Sequence, residues 1–424
     1  MMAMHVIRRS KGGLVKPAEE TPLSTLELSA IDRLPALRCN ARTLHVFKHG
    51  PEAARIIREA LSKALVPYYP LAGRLKESHP GFLQIQCSGD GVWYVEAYSH
   101  STLHSVNFFH DLHSVPYDDL LPDDIPRSHD PLVQMQVTEF GCGGFVIGLI
   151  FCHSICDGLG AAQFLNAVGE LARGVEKPSI EAVWHRDFFP SPQTPQQTPP
   201  QIFIPDYKLE HANIDMAMDE IKRVKREFEQ VTGESCSAFE IAAAACWRSR
   251  TRAIELDPST ELKLVFFANC RQLLDPPLPD GFYGNCFFPV TITASCESLR
   301  NATMVGVVKL IQEGKGKLPE EFGKYLKGEH FKKGGEDPFA PPLTYTTLFV
   351  SEWGRLGFNS VDYQWGPPLH VVPIQGSTII PVAILGSIPL PNKGIRFMTW
   401  CLQEPHRLPF LHHMNQITNS SSKF

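Results

Sequence analysis

The stretch Phe145-Val146-Ile147-Gly148-Leu149-Ile150-Phe151-Cys152 runs straight into His153-Ser154-Ile155-Cys156-Asp157-Gly158 and then into Leu159-Gly160-Ala161-Ala162-Gln163-Phe164-Leu165. Its unbroken apolar character predicts a strand buried on both faces. Residues 159–165 read as a helix, so the motif is strand, turn, helix, and each half of the chain mixes helices and strands. A histidine at the end of a buried strand is held firmly and can still meet a substrate. Imidazole titrates near pH 6.5 and accepts a proton at little cost at neutral pH, which suits His153 to general-base work. Other readings stand beside this one. Cys152, His153 and Cys156 offer zinc ligands, but they crowd one turn without a second ligand pair at usable spacing, so no metal site is expected. A cysteine nucleophile beside His153 meets the difficulty that adjacent strand residues point to opposite faces. A buried histidine satisfied by hydrogen bonds is the structural alternative.

Outward from this segment, six prolines fall between Pro190 and Pro205, mixed with Gln, Thr and Ser. Proline fixes φ and removes an amide donor, so neither helix nor central strand runs through here. The expected organisation is an N-terminal domain over 1–187, a proline-rich crossover over 188–206 and a C-terminal domain over 207–424. Helical spacing is read at Ile56, Ile57, Ala60, Leu61, Ala64 and Leu65. It recurs across Glu210 to Val231 at Ile214, Met218, Ile221, Val224 and Phe228. Strands are expected at 83–87, 92–97, 133–138, 144–152, 262–268 and 288–293, and loops near 108–130 and 313–340.

The whole chain has 424 residues, 43% of them apolar, with 40 Lys+Arg against 45 Asp+Glu. That apolar fraction excludes a disordered chain, and the net charge of −5 argues against a nucleic-acid binder, which would carry a basic stripe. Eleven irregularly spaced cysteines are expected to be free thiols, mostly buried, in a reducing compartment. No apolar run approaches the length of a membrane span, and the first residues carry no signal-peptide core. A cytoplasmic monomer is the expectation.

His153-Ser154-Ile155-Cys156-Asp157-Gly158 resembles the H-x-x-x-D-G motif of the plant BAHD acyl-CoA-dependent acyltransferases. Three further segments follow that family's order. Tyr69-Pro70-Leu71-Ala72-Gly73-Arg74 is similar to Y-P-x-A-G-R. Asn269-Cys270-Arg271 with Phe282-Tyr283-Gly284-Asn285 is similar to the N-x-R and Y-x-G-N pair. Asp362-Tyr363-Gln364-Trp365-Gly366 resembles D-F-G-W-G. The resemblance covers residues 5 to 415, and four ordered motifs do not coincide by accident.

What the resemblance implies is specific. The fold would be two chloramphenicol-acetyltransferase-like α/β domains joined by a long crossover, with a central solvent channel. His153 would be the general base, taking a proton from an acceptor as it attacks the thioester of an acyl-CoA, with no covalent acyl-enzyme. Asp157 would be structural and pair with Arg271. Asp362, Trp365 and Gly366 would form an oxyanion or CoA-side loop, in which Gln364 and Tyr363 depart from the family's Gly and Phe. A Gln there would be strained if that Gly has positive φ. Ser237 matches a position that contacts the pantetheine arm, and it reads equally as the N-cap of a helix over 239–247. Lysines between 315 and 333 read as a solvated charged face, with CoA phosphates as the other possibility. No tightly bound cofactor is expected; acyl-CoA is the co-substrate.

Segments 133–140, 282–290, 348–353 and 362–374 look closest to hydroxycinnamoyl-CoA:monolignol transferases and to taxane and benzoyl transferases. An aromatic acyl donor and an alcohol acceptor are therefore expected, with an amine acceptor and amide product as the alternative. From other classes, a catalytically silent binding protein of the same fold and a cysteine- or metal-dependent hydrolase remain to be weighed.

Overall fold

Strand Phe145–Cys152 forms as read, and all eight of its residues are buried. The structure, a computed structural model, describes residues 7–79, 82–110, 117–122, 130–187, 207–331, 337–374 and 380–418. The strand lies at the centre of a seven-stranded sheet, antiparallel to both neighbours, Val133–Phe140 and Asn40–Phe47. Its continuous apolar run thus reflects cover on both faces in a largely antiparallel setting. Gly148 shows how close that cover comes: a Cβ there would fall 1.9 Å from the Leu120 carbonyl oxygen. Opposite, Phe151 meets Phe164 of helix Gly158–Ala172 with ring centroids 6.3 Å apart.

Two compact units make up the chain. The first takes residues 1–191 together with 276–286 and 355–375, so two segments from beyond the proline-rich stretch belong to it. It holds the seven-stranded sheet, a three-stranded sheet ordered Ser24–Glu27, Phe82–Cys87, Arg74–His79, and the helices Ala53–Ala64 and Gly158–Ala172. Helix Ala53–Ala64 buries Ala53, Ile57, Ala60, Leu61 and Ala64, the stripe its spacing predicts.

The second unit takes 192–275, 287–354 and 376–424. A six-stranded mixed sheet forms its frame, with helix Ala238–Ala253 among the helices packed on it. Crossover residues 188–206 lie outside the described residues. Among the described residues no helix is long and apolar enough to cross a membrane.

Two sequence expectations need correction. Glu210 to Val231 is not one helix: Glu210–Ala217 is a strand that buries Ala212, Ile214 and Met216 alternately, and the helix begins at Met218. Ile214 and Met218 are four apart, a spacing that satisfies both periods. Residues 313–340 are not mainly loop either. Helices Met304–Gly316 and Leu318–Leu326 occupy much of the region, the second burying Phe322 and Tyr325 beneath a charged exterior.

Strand Asn40–Phe47 carries a titration consequence. His45 is 1% exposed, its Nε2 lies 2.9 Å from Thr43 Oγ1, and burial pulls its pKa from the ordinary 6.5 down to about 3. The folded state keeps this ring neutral, whereas the unfolded chain protonates it below about pH 6.5. Its contribution is complete above the unfolded value and is lost as pH falls toward the folded one, at about 1.4 kcal/mol per pH unit. Urea titrations at pH 7.0 and 5.5 are therefore expected to show a steeper acid loss for the wild type than for His45→Gln. Equal losses would contradict the assignment.

Candidate active site

His153 leaves the end of the central strand half-buried, and main-chain bonds fix it before its side chain does anything. Its N–H donates to the Cys39 carbonyl at 2.9 Å, and its own carbonyl accepts from Asn285 Nδ2 at 2.8 Å. The next residue, Ser154, is fully buried, and its hydroxyl donates to the Leu37 carbonyl at 2.9 Å. The imidazole Nδ1 is buried and has no hydrogen-bond partner among the described residues. Among the described residues no carboxylate grips that nitrogen, as one would in a Ser-His-Asp relay.

Asp157 instead caps helix Gly158–Ala172. Its Oδ1 accepts from Gly160 N–H at 3.0 Å, and Oδ2 accepts from Cys286 N–H at 3.3 Å. A side-chain oxygen here satisfies one of the orphan amides of the helix's first turn and is worth about 1 kcal/mol. Segment 276–286 passes directly over that turn. Gln163 Nε2 donates to the Gly281 carbonyl at 2.8 Å, and a Cβ at Gly160 would fall 1.9 Å from the Tyr283 carbonyl oxygen. Gly160 is thus a contact requirement rather than a flexible joint.

Behind the turn lies a group that sequence reasoning missed. Asp32 and Arg186, 0% and 3% exposed, form an ion pair 2.8 Å long between Oδ2 and Nε. Arg186 Nη2 donates to the Ile155 carbonyl at 2.7 Å, and Asn285 Nδ2 donates to Asp32 Oδ1 at 2.7 Å. One local signal was present: Ser29 and Asp32 exchange reciprocal bonds of 3.1 Å, a box that the spacing Ser-x-x-Asp permits.

The cysteines beside His153 are poorly suited to nucleophilic work. Burial pushes the Cys152 thiol up to about 11 and the Cys156 thiol well above its ordinary value, so both are protonated at neutral pH. All eleven cysteines are free and nine are buried, as their spacing led one to expect.

The loop 362–366 belongs to the same unit as His153 but not to the same place. Trp365 packs on Phe145 at 5.8 Å and Tyr363 on Phe47 at 5.5 Å, at the opening end of the strand that closes with His153. Eight residues of strand separate the two ends by roughly 25 Å. Donors for an oxyanion must lie about 3 Å from it, so at that separation Asp362, Trp365 and Gly366 brace the far end of the sheet. Asp362 Oδ1 accepts from the N–H groups of Gln364 and Gly366, both at 2.8 Å, and its carbonyl accepts from Arg173.

Gln364 stands at φ 95° and Gly366 at φ 91°. A non-glycine residue in that region costs on the order of 1–2 kcal/mol. Gln364→Gly is expected to raise stability by about 0.5–1 kcal/mol after the extra freedom of an unfolded glycine is discounted. Denaturant titration checks this, and a loss of stability would contradict it. Tyr363 Oη is buried without a partner among the described residues, so the hydroxyl that distinguishes Tyr from Phe gains nothing there.

Arg271 and Ser237 lie in the second unit. The N–H and Nη1 of Arg271 donate to Asn269 Oδ1 at 3.1 and 3.2 Å. Ser237 caps helix Ala238–Ala253 in a reciprocal box: Oγ accepts from Glu240 N–H at 3.2 Å, and Ser237 N–H donates to Glu240 Oε2 at 2.8 Å. Lys315 is bound to Glu240, and Lys324 pairs with Glu320 and Glu321 at 2.7 and 2.8 Å. A groove of about 520 Å³ in this unit, lined by Phe288, Thr291, Leu310, Lys317 and His330 among others, includes none of these motif residues.

The sequence model described as "Transferase family" matches residues 4–414. Acyl transferase 4 of Oryza sativa subsp. japonica is 42% identical, the alignment covering 96% of this chain and 97% of that one. The chain is a BAHD acyltransferase.

Two further relatives of this acyltransferase carry more specific names. A myricetin 3-O-glucosyl 1,2-rhamnoside 6'-O-caffeoyltransferase of Crocosmia x crocosmiiflora is 36% identical over 97% of this chain and 99% of its own length. A 3'-N-debenzoyl-2'-deoxytaxol N-benzoyltransferase of Taxus canadensis is 34% identical over 92% and 91%. Among solved structures, vinorine synthase superposes with a TM-score of 0.74 at 18% identity, covering 98% of both chains, and shows the same fold. The family and the two-domain α/β fold anticipated from the four motifs are borne out.

Proposed function

We propose that this acyltransferase moves an aromatic acyl group, hydroxycinnamoyl or benzoyl, from acyl-CoA to the hydroxyl of a specialised-metabolite or monolignol-type alcohol, with His153 as general base. The observation that carries the reading is His153 itself, main chain pinned on both sides at the end of a fully buried strand, with Nδ1 given no partner among the described residues. In the reaction the imidazole takes the hydroxyl proton as the acceptor oxygen bonds to the thioester carbonyl carbon. The tetrahedral oxyanion then collapses, the C–S bond breaks, and the CoA thiolate recovers the proton from the imidazolium. No acyl-enzyme is needed. A positioned base adds about 10²–10⁴-fold, and proximity of the two substrates with stabilisation of the oxyanion supplies the rest.

Asp157 and Arg271 enter the proposal as the structural partners of the motif, not as catalytic groups. Ser237 enters as a contact for the pantetheine arm. Its capping bond uses one lone pair of Oγ, which leaves the O–H to donate. The aromatic donor is supported by the caffeoyl and benzoyl names of two relatives at 36% and 34% identity. The N-benzoyl name keeps an amine acceptor as the second reading. The setting proposed is a cytoplasmic monomer, in keeping with eleven free thiols.

A donor-by-acceptor panel tests the substrate reading. Product mass after incubation with p-coumaroyl-, feruloyl-, benzoyl-, acetyl- and malonyl-CoA is expected to show aromatic esters as the main products. If the aliphatic donors prevail with every acceptor, the aromatic assignment is wrong and the family stands.

A further inference from the structure

The turn that carries His153 rests on a buried charged cradle, and we infer that Asp32, Arg186 and Asn285 are positioning residues that set where the imidazole stands. The inference rests on His153 acting as the base. The side chains of Asp32 and Arg186 are 0% and 1% exposed. A pair so deep gains little net stability over apolar residues of equal volume, because desolvation offsets the Coulomb attraction. What it supplies is direction.

Both donors of the Asn285 amide are committed, one to Asp32 Oδ1 at 2.7 Å and one to the His153 carbonyl at 2.8 Å. The Asn285 N–H adds a second bond to Asp32 Oδ1 at 3.2 Å. Arg186 Nη2 reaches the Ile155 carbonyl at 2.7 Å, so the 153–154 peptide unit, through Asn285, and the 155–156 peptide unit are both tethered to one charged pair. The guanidinium is itself confined, with its carbon 4.1 Å from the Trp184 ring centre, 4.9 Å from that of Phe282 and 5.4 Å from that of Tyr283. A Cβ at Gly284 would fall 2.0 Å from Arg186 Nη1, so the chain approaches as closely as glycine allows.

This arrangement matters because His153 Nδ1 has no partner among the described residues to orient the ring. Where a carboxylate fixes the imidazole, backbone error can be absorbed; here the ring's direction is inherited from the main chain at 153. A misplacement of about 1 Å costs on the order of 10²-fold in rate.

Asn285→Ala is the informative variant, since it removes both side-chain tethers and leaves the ion pair in place. Its kcat is expected to fall roughly 10- to 100-fold, with the KM for acyl-CoA within about twofold of wild type. Calorimetry with coenzyme A, read as sites per chain, normalises kcat to the folded, binding-competent fraction. Ile57→Ala, a core truncation in helix Ala53–Ala64, serves as the destabilised control and is expected to keep its kcat per site. Arg186→Lys keeps the charge beside Asp32 but loses the donor to Ile155, and a several-fold fall in kcat per site is expected there too. The inference is overturned if both cradle variants keep kcat per site within twofold of wild type, or if Ile57→Ala loses as much as they do. Retained activity in His153→Ala would overturn the underlying base assignment instead, whatever the cradle variants show.

Discussion

Replacing His153 with alanine is expected to lower kcat by about 10²–10⁴-fold, the contribution of a positioned general base, while binding of acyl-CoA and thermal unfolding stay close to wild type. The side chain lies beyond the last strand residue and makes no hydrogen bond through Nδ1 among the described residues, so its loss leaves the sheet intact. The main-chain bonds to Cys39 and Asn285 survive the substitution. Cys152→Ser and Cys156→Ser are expected to retain activity, because both thiols are held protonated by burial. A hydrolase built on those cysteines would show the reverse pattern. A silent binding protein would be indifferent to all three changes.

The second large effect is on stability. Asp32→Ala leaves the buried Arg186 guanidinium with no counter-charge at Nε, stacked among Trp184, Phe282 and Tyr283. Breaking a buried pair in this way costs about 3–5 kcal/mol, far more than the pair is worth against an apolar replacement. The double variant Asp32→Leu/Arg186→Met is expected to recover a large part of that loss. Urea unfolding of the single and double variants distinguishes the cases. If Asp32→Ala is neutral, or if the double variant is worse than the sum of the singles, the pair is not the desolvated ion pair that the burial of both side chains implies.

The frame of the molecule was legible because its signals are local. Val92–Ser99, Val133–Phe140, Phe145–Cys152 and Glu261–Asn269 announce themselves as short runs with few interruptions. Ser237 followed by Glu240 spells out a capping box. Glu210–Ala217 was hidden because Ile214 and Met218 fit a helix as well as a strand. Helices Met304–Gly316 and Leu318–Leu326 were hidden by Gly306, Gly314, Gly316 and Gly323, which dilute the apolar period.

At the site, His153 was marked by its place at the end of a buried apolar run and Asp157 by the resemblance of its motif, whereas Asp32 and Arg186 carried no such mark. Each is a single charged residue in a segment without periodicity, and their meeting depends on contacts 154 positions apart in sequence. Burial of a charge is a tertiary fact, and no local pattern records it. Likewise, the Asp362–Gly366 loop reads as a signature, but only the packing of Trp365 on Phe145 shows that it braces the strand's other end.

Direct transfer by a base, with no acyl-enzyme, is the central claim, and release of free CoA thiol from an aromatic acyl-CoA tests it most directly. With acceptor present, thiol is expected to appear in step with product, one for one. Without acceptor, release is expected to be negligible, with no burst equal to the enzyme concentration. A stoichiometric burst, or release equal in the two conditions, would contradict it.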